Sequence, residues 1–198
     1  MHDAAAVGYA GPMLDLGLLA PETLRPISRR EFGQMVELGL FEDERIELLH
    51  GMLVQMSPIG SRHNESVMRL TEFLLPALLG RARVCTQGAF AASDDSEPQP
   101  DLAVLPVANY EAELPCEALL AIEVAESSLR KDRSIKRDLY AAAGIPEYWV
   151  VNLVDDVVEV YTDPKQGRYA TSRTCGAGTT IPLVAFPDVA LSVDELLA

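Results

Sequence analysis

Two acids in this chain stand where an acid is costly. "LLAIEVAES" (119–127) sets Glu123 between Ile122 and Val124 in an apolar stretch, and "EPQPDLAVL" sets Asp101 at the mouth of another, after a Pro-rich turn. A carboxylate in an apolar strand needs a paired charge, hydrogen bonds or a cation. Two acids on neighbouring strand ends can share a hard divalent ion, because Mg²⁺ takes carboxylate oxygens and keeps waters for chemistry. The competing reading of Glu123 is a buried salt bridge to an arginine of the following helix. For Asp101 it is a turn or strand-edge residue, and a second Pro-Asp step at Pro187-Asp188 shows how little that dipeptide specifies.

Lys136 and Tyr140 follow, four residues apart and so on one helical face, with Asp132 one turn earlier. A lysine beside two carboxylates and a metal can orient the attacking water or stabilise charge on a phosphate oxygen; on its own it is a solvated lysine. It lies in "RKDRSIKR", where five of eight residues are basic: Arg130, Lys131, Arg133, Lys136 and Arg137. Next to an acidic centre such a cluster is where phosphates would be held, and it reads equally as a solvated helix face. Glu47, in "IELLHG", alternates with Ile46 and Leu48 and is either an outward strand residue or a third acid facing a cleft. His63, just ahead of a helix, is placed to bind phosphate or to act as a capping or surface residue. Trp149 reads as core and Glu147 as a strand start.

The elements that must hold these residues follow from pattern and punctuation. Ser28 and Glu31 have capping-box spacing, with Ile27 and Phe32 as a hydrophobic staple, so a helix begins there. "RIELLHGMLVQM" predicts a hairpin turning at His50-Gly51, and "SPIGSRH" a loop. "NESVMRLTEFLLPALLG" puts Val67, Leu70, Phe73, Leu74 and Leu78 on one stripe, ending near Gly80 and shortened or kinked by Pro76. Four strands are expected in "ARVCTQGAFA", "DLAVLPV", "LLAIEVA" and "YWVVNLV". The last two flank a helix that stops at Gly144-Ile145-Pro146, a crossover unit. "VVEVYT" pairs back across Asp155-Asp156, "GRYATSRT" extends it, and Ser192 and Glu195 offer a final capping box. The expected fold is a mixed α/β sheet with a helix on each face.

The chain has 198 residues and a formal charge of −14, from 30 acidic against 16 basic residues. That length suits one domain, read as 27–198 behind a poorly ordered arm at 1–26. The acidic balance excludes a surface that attracts nucleic acid everywhere, so a polyanion needs a local basic patch. Cys85, Cys116 and Cys175 have no CxxC spacing and suggest neither a disulfide framework nor a zinc site, which suits a reducing compartment. No positively charged signal region precedes Arg25 and no apolar run is long enough to span a bilayer, so the expected location is the cytoplasm, away from membranes.

The order "IELLHGMLVQMSP", His63 ahead of a helix, "PDLAVL", "AIEVAESS" and "KRDLYAAAGIPEYWVV" closely resembles the bacterial Uma family of restriction-endonuclease-like proteins, a branch of the PD-(D/E)XK nuclease superfamily. The likeness runs from about Ser28 to the C-terminus; "YAAAGIPEYWVV" and the hairpin ending in "MSP" are its most specific parts. It implies a restriction-endonuclease-like fold and Mg²⁺- or Mn²⁺-dependent hydrolysis of DNA phosphodiesters. Carried over by position, Asp101 is the first acid and Glu123 the second. The superfamily's lysine, two residues after the second acid, falls on Ala125, so the resemblance implies a lysine displaced to Lys136 with Tyr140 one turn on, and Glu47 as the acid that completes the metal site. The hairpin departs from the family in reading His50-Gly51 where an acid usually precedes the Gly, and in Met52 where Glu is common. Two alternatives to a nuclease stand beside it: a catalytically silent, homodimeric nuclease-fold interaction protein, and a hydrolase of small phosphate esters. The charge balance leads to an expected homodimer that joins two basic helices.

Overall fold

A computed structural model describes residues 23–198. The arm expected at 1–26 therefore lies outside the described residues over 1–22, and 23–28 form no regular element. Ser28 caps α1 (Arg29–Glu37), and both halves of the capping box form: Ser28 Oγ accepts from the Glu31 amide, and Glu31 accepts from the Ser28 amide. The hairpin follows as β1 (Ile46–Leu49) and β2 (Met52–Gln55), paired antiparallel through His50 and Gly51. Both turn residues have positive φ, 49° and 73°, which His tolerates and Gly favours. A side chain at Gly51 would also strike Pro26, because the lead-in to α1 hydrogen-bonds to this turn from the Ile27 amide.

α2 (Ser61–Ala77) carries the expected stripe, with Val67, Leu70 and Leu74 buried and Pro76 tolerated in its final turn. It starts earlier than expected: Gly60 is its extended N-cap, so Ser61, Arg62 and His63 belong to the helix and not to a preceding loop. The central sheet runs β3 (Arg83–Thr86), β4 (Leu102–Leu105), β5 (Leu120–Ala125), β6 (Glu147–Asn152), β7 (Val157–Lys165) and β8 (Arg168–Cys175), in that spatial order. Only β5 and β6 are parallel. They are joined by α3 (Leu129–Lys131), a π-helical turn (Asp132–Lys136) and α4 (Arg137–Ala142), the predicted crossover. β3 is shorter than its apolar pattern because Gln87 takes a φ of 50° and its amide turns back to the Asp101 carbonyl. β9 (Thr180–Pro182) and β10 (Ala190–Ser192) form a second small hairpin before α5 (Val193–Leu197), where Ser192 accepts from the Glu195 amide without the reciprocal bond.

The sheet has a different layer on each face. α2 and α5 pack on Leu102, Val104, Leu120, Ile122, Val124, Trp149 and Val151. The opposite face presents Ala103, Ala121, Ala125, Tyr148 and Val150 to Tyr140 of α4. Alternation puts Glu123 on this second face, between Ala121 and Ala125. Those two small side chains let the crossover helix approach closely enough to reach it.

Candidate active site

Three chain segments converge at the end of β5. β1 pairs with the stretch before β4 through reciprocal hydrogen bonds between Leu48 and Glu97, and the Gln99 amide reaches Glu47 Oε2 at 3.4 Å. The hairpin acid is thereby fixed beside the segment that ends in Asp101. β4 pairs with β5 in the register Leu102 to Ile122, which sets Asp101 next to Glu123 and Val124. The π turn then supplies Lys136, with Tyr140 one turn on. Glu47, Asp101, Glu123, Lys136 and Tyr140 are all buried.

Lys136 Nζ lies 2.8 Å from Glu123 Oε1 and 2.9 Å from Glu47 Oε2. Tyr140 donates to the same Glu123 Oε1 at 2.7 Å. Lys131 reaches the other oxygen of Glu47 at 2.5 Å. Asp101 Oδ2 accepts from the Val124 amide at 2.8 Å and meets His63 Nε2 at 3.0 Å. The ion pair expected for Glu123 in its bland reading is thus made by Lys136 and not by an arginine. Both Glu47 oxygens are engaged, whereas Asp101 Oδ1 and Glu123 Oε2 make no hydrogen bond among the described residues, and both residues line one pocket of about 50 Å³ with His63, Asp132 and Lys136.

The charges explain one another. Burial pushes the Glu123 carboxyl up to about 8, with Lys136 pulling it down and Asp132, Asp101 and Glu47 adding to the rise. Burial acts on Glu47 in the same sense, but Lys136 and Lys131 outweigh it and hold the group below its ordinary value. Two cations against one separate the two acids. Burial disfavours charge on Lys136 as well, yet Glu123 and Glu47 raise it well above the usual lysine value, so it stays protonated. Tyr140 is raised by burial and then by Glu123, so it remains a donor.

Of the basic run, Lys131 and Lys136 face these acids. Arg133 forms a two-pronged pair with Glu159 and also meets Asp155, and Arg137 pairs with Asp138. Arg130 carries no ion pair among the described residues, and it lines a shallow groove of mixed polarity with Gln55, Ser127, Ser128, Ser134 and Ile135 beside the pocket. Trp149 is core, and Glu147 is a buried acceptor for Trp149 Nε1 and the Val184 amide. The second Pro-Asp step ends in a surface pair, Asp188 with Arg81. Two features escaped the sequence reading. His63 pairs with Asp101, because the early start of α2 turns its first coil toward β4. Asp132 is also buried in the pocket wall, although its spacing from Lys136 had placed it on the same face.

The sequence profile described as "Uma2: Putative restriction endonuclease" matches residues 30–194. The chain belongs to the Uma2 family. Among solved structures, the Uma2 chain is similar to one described as a "putative nuclease belonging to DUF820" from Anabaena variabilis, with a TM-score of 0.66 and 18% identity over 87% of this chain and 98% of that one. This likeness shows that the two chains share a fold, a mixed sheet flanked by helices. No curated protein matches. Among the described residues of this Uma2 chain, no helix is long and apolar enough to cross a membrane. Its three cysteines are unpaired. Again among the described residues, no three His, Cys, Asp or Glu side chains are set to hold a metal ion by themselves. The donor chemistry fits an ion that keeps most of its water: two pocket-lining carboxylates, each with one oxygen not otherwise hydrogen-bonded among the described residues, are the kind of set Mg²⁺ takes from a protein when a phosphate is to supply the rest.

Proposed function

We propose that this protein is a metal-dependent endonuclease that hydrolyses DNA phosphodiester bonds, with Asp101 and Glu123 holding Mg²⁺ or Mn²⁺. Family membership supports the nuclease. The observation that supports the finer reading is two carboxylates that line one pocket, Asp101 and Glu123, each with one oxygen free of hydrogen bonds among the described residues, beside a lysine held in its charged state. All-oxygen donors favour Mg²⁺ or Mn²⁺ over zinc. Such an ion supplies Lewis acidity toward the scissile phosphate and makes water a stronger nucleophile.

The chain's own residues do the rest. Lys136 spends two of its three donors on Glu123 and Glu47 and keeps one for a phosphate oxygen or the attacking water. Because it stays protonated it stabilises developing charge and is not the base. Tyr140 and Lys136 share Glu123 Oε1 and so leave Oε2 to the pocket. His63 and the Val124 amide hold Asp101 in the same way through Oδ2. In this reading Glu47 serves by fixing Lys136, and Arg130 with the serine-lined groove offers phosphate contacts. A homodimer in a reducing cytoplasm belongs to the same proposal.

The test is cleavage of supercoiled and linear plasmid by the purified chain with Mg²⁺ or Mn²⁺, beside Glu123→Ala and Lys136→Ala. Cutting that both substitutions abolish supports the reading; no cutting with either metal refutes it. One observation favours a second reading, a silent nuclease-fold interaction protein: four of the five cations in the basic run are paired within the chain, leaving little positive charge for DNA. DNA binding without cleavage would select it.

A further inference from the structure

Asp132 opens the π turn and is 1% exposed. It lines the pocket wall, and neither of its carboxylate oxygens has a hydrogen-bond partner in good geometry among the described residues. Burial raises its carboxyl, and Lys136, the Ser128 hydroxyl and Lys131 oppose that rise, the hydroxyl standing just outside hydrogen-bond geometry. An unpaired buried carboxylate is expensive, and natural structures rarely leave one without a partner that the site itself supplies. Each of the other buried charges around the pocket has its partner. Lys136 is taken by Glu47 and Glu123, Lys131 by Glu47, and Asp101 by His63 and the Val124 amide. Among the described residues nothing supplies what Asp132 lacks.

Charge and location indicate its nature. Among the described residues, with all four ionised, Glu47, Asp101, Glu123 and Asp132 stand against two lysines, Lys131 and Lys136, with His63 beside Asp101, an excess of two negative charges over the lysines. Glu126 and Arg45, at the exposed pocket rim, offset each other. One divalent cation neutralises that excess. The pocket, about 50 Å³, admits an ion with part of its water shell. Among the described residues no three acids are set to reach a single ion directly, so the acid beyond the first two acts through a water the ion retains. A π turn suits such a role, because its local widening commonly marks functional positions in helices.

Resting on the two-carboxylate reading above, we infer that Asp132 is a third acidic group of a divalent-cation site, accepting hydrogen bonds from the waters of an ion held by Asp101 and Glu123. It is a positioning residue for the hydrated ion, distinct from Glu47, whose oxygens are both committed to lysines.

The test is Mn²⁺ binding to the full-length chain by calorimetry and by electron paramagnetic resonance, with thermal melting of the metal-free protein, for wild type, Asp132→Asn, Asp132→Ser, Asp101→Asn and the surface control Asp138→Asn. The serine variant serves if the asparagine variant does not fold. The expected result is Mn²⁺ affinity weakened by roughly tenfold or more in both Asp132 variants, as for loss of a group that orients a metal site. Their metal-free melting temperature is not lowered, because an uncompensated charge has gone. Asp138→Asn binds like wild type. Wild-type Mn²⁺ affinity in the Asp132 variants overturns this inference alone, leaving the two-carboxylate site standing if Asp101→Asn abolishes binding. No Mn²⁺ binding by wild type overturns the underlying reading and this one with it.

Discussion

Replacing Lys136 with methionine removes a buried ammonium and little volume, and so isolates the charge. The ammonium sits 2.8 Å from Glu123 and 2.9 Å from Glu47. At an effective dielectric constant of about 20, each contact carries roughly 6 kcal/mol of gross attraction. Stripping water from the three charges takes back most of that, so the loss expected on removing the shared partner is about 3–5 kcal/mol. Glu47 retains Lys131 and keeps its charge, whereas Glu123, already pushed up to about 8, loses the cation that opposes that rise and keeps only the Tyr140 hydroxyl. The cost therefore falls mostly on Glu123. Urea denaturation followed by circular dichroism at pH 7 should show the loss, and adding Glu123→Gln to Lys136→Met should recover part of it. A loss below about 1 kcal/mol, outside the range for breaking a buried ion pair, or no recovery in the double variant, would refute the reasoning that one lysine neutralises both acids.

Tyr140→Phe deletes the 2.7 Å bond to Glu123 but keeps the ring packed against Phe90 and Tyr148, so unfolding free energy should fall by about 1.5–3 kcal/mol with the fold intact. Ser28→Ala should cost about 1 kcal/mol near neutral pH. The Ser28 amide, Arg25 and the Ser28 hydroxyl hold Glu31 down to about 2 from 4.5, so its contribution is complete above pH 4.5 and lost as pH falls toward 2; the penalty of the variant in acid titrations should shrink over that window. Glu147 shows the opposite sign: burial raises its carboxyl above 4.5, so the native chain holds its proton to higher pH and stability declines as pH rises from 4.5 through the raised value. Glu147→Gln should flatten that decline in melting curves taken across the range.

Much of the fold was legible because its signals are local. The capping box at Ser28, the stripe of α2, the His50-Gly51 turn and the strand–helix–strand order around Glu123 each follow from residue types at short spacing, and the structure contains all of them. The misplaced start of α2 has an equally local cause: with no Ser, Thr, Asp or Asn cap, Gly60 begins the helix unannounced. The site was legible as residues but not as pairings. Glu123 was conspicuous as an acid among apolar neighbours, yet that its partner is Lys136, that Lys136 also serves Glu47, and that His63 meets Asp101 all depend on packing between segments remote in sequence. The basic run illustrates the same limit: its composition suggested phosphate binding, while the fold directs Arg133 to Glu159 and Lys131 to Glu47.

A divalent cation shared by Asp101 and Glu123 would be visible by anomalous diffraction from crystals of the protein soaked in Mn²⁺. The expected result is an anomalous peak in the pocket within bonding distance of both carboxylates, absent from Glu123→Gln crystals. Crystals saturated with Mn²⁺ that show no peak there, with Glu123 still bound to Lys136 and Tyr140 alone, would contradict it.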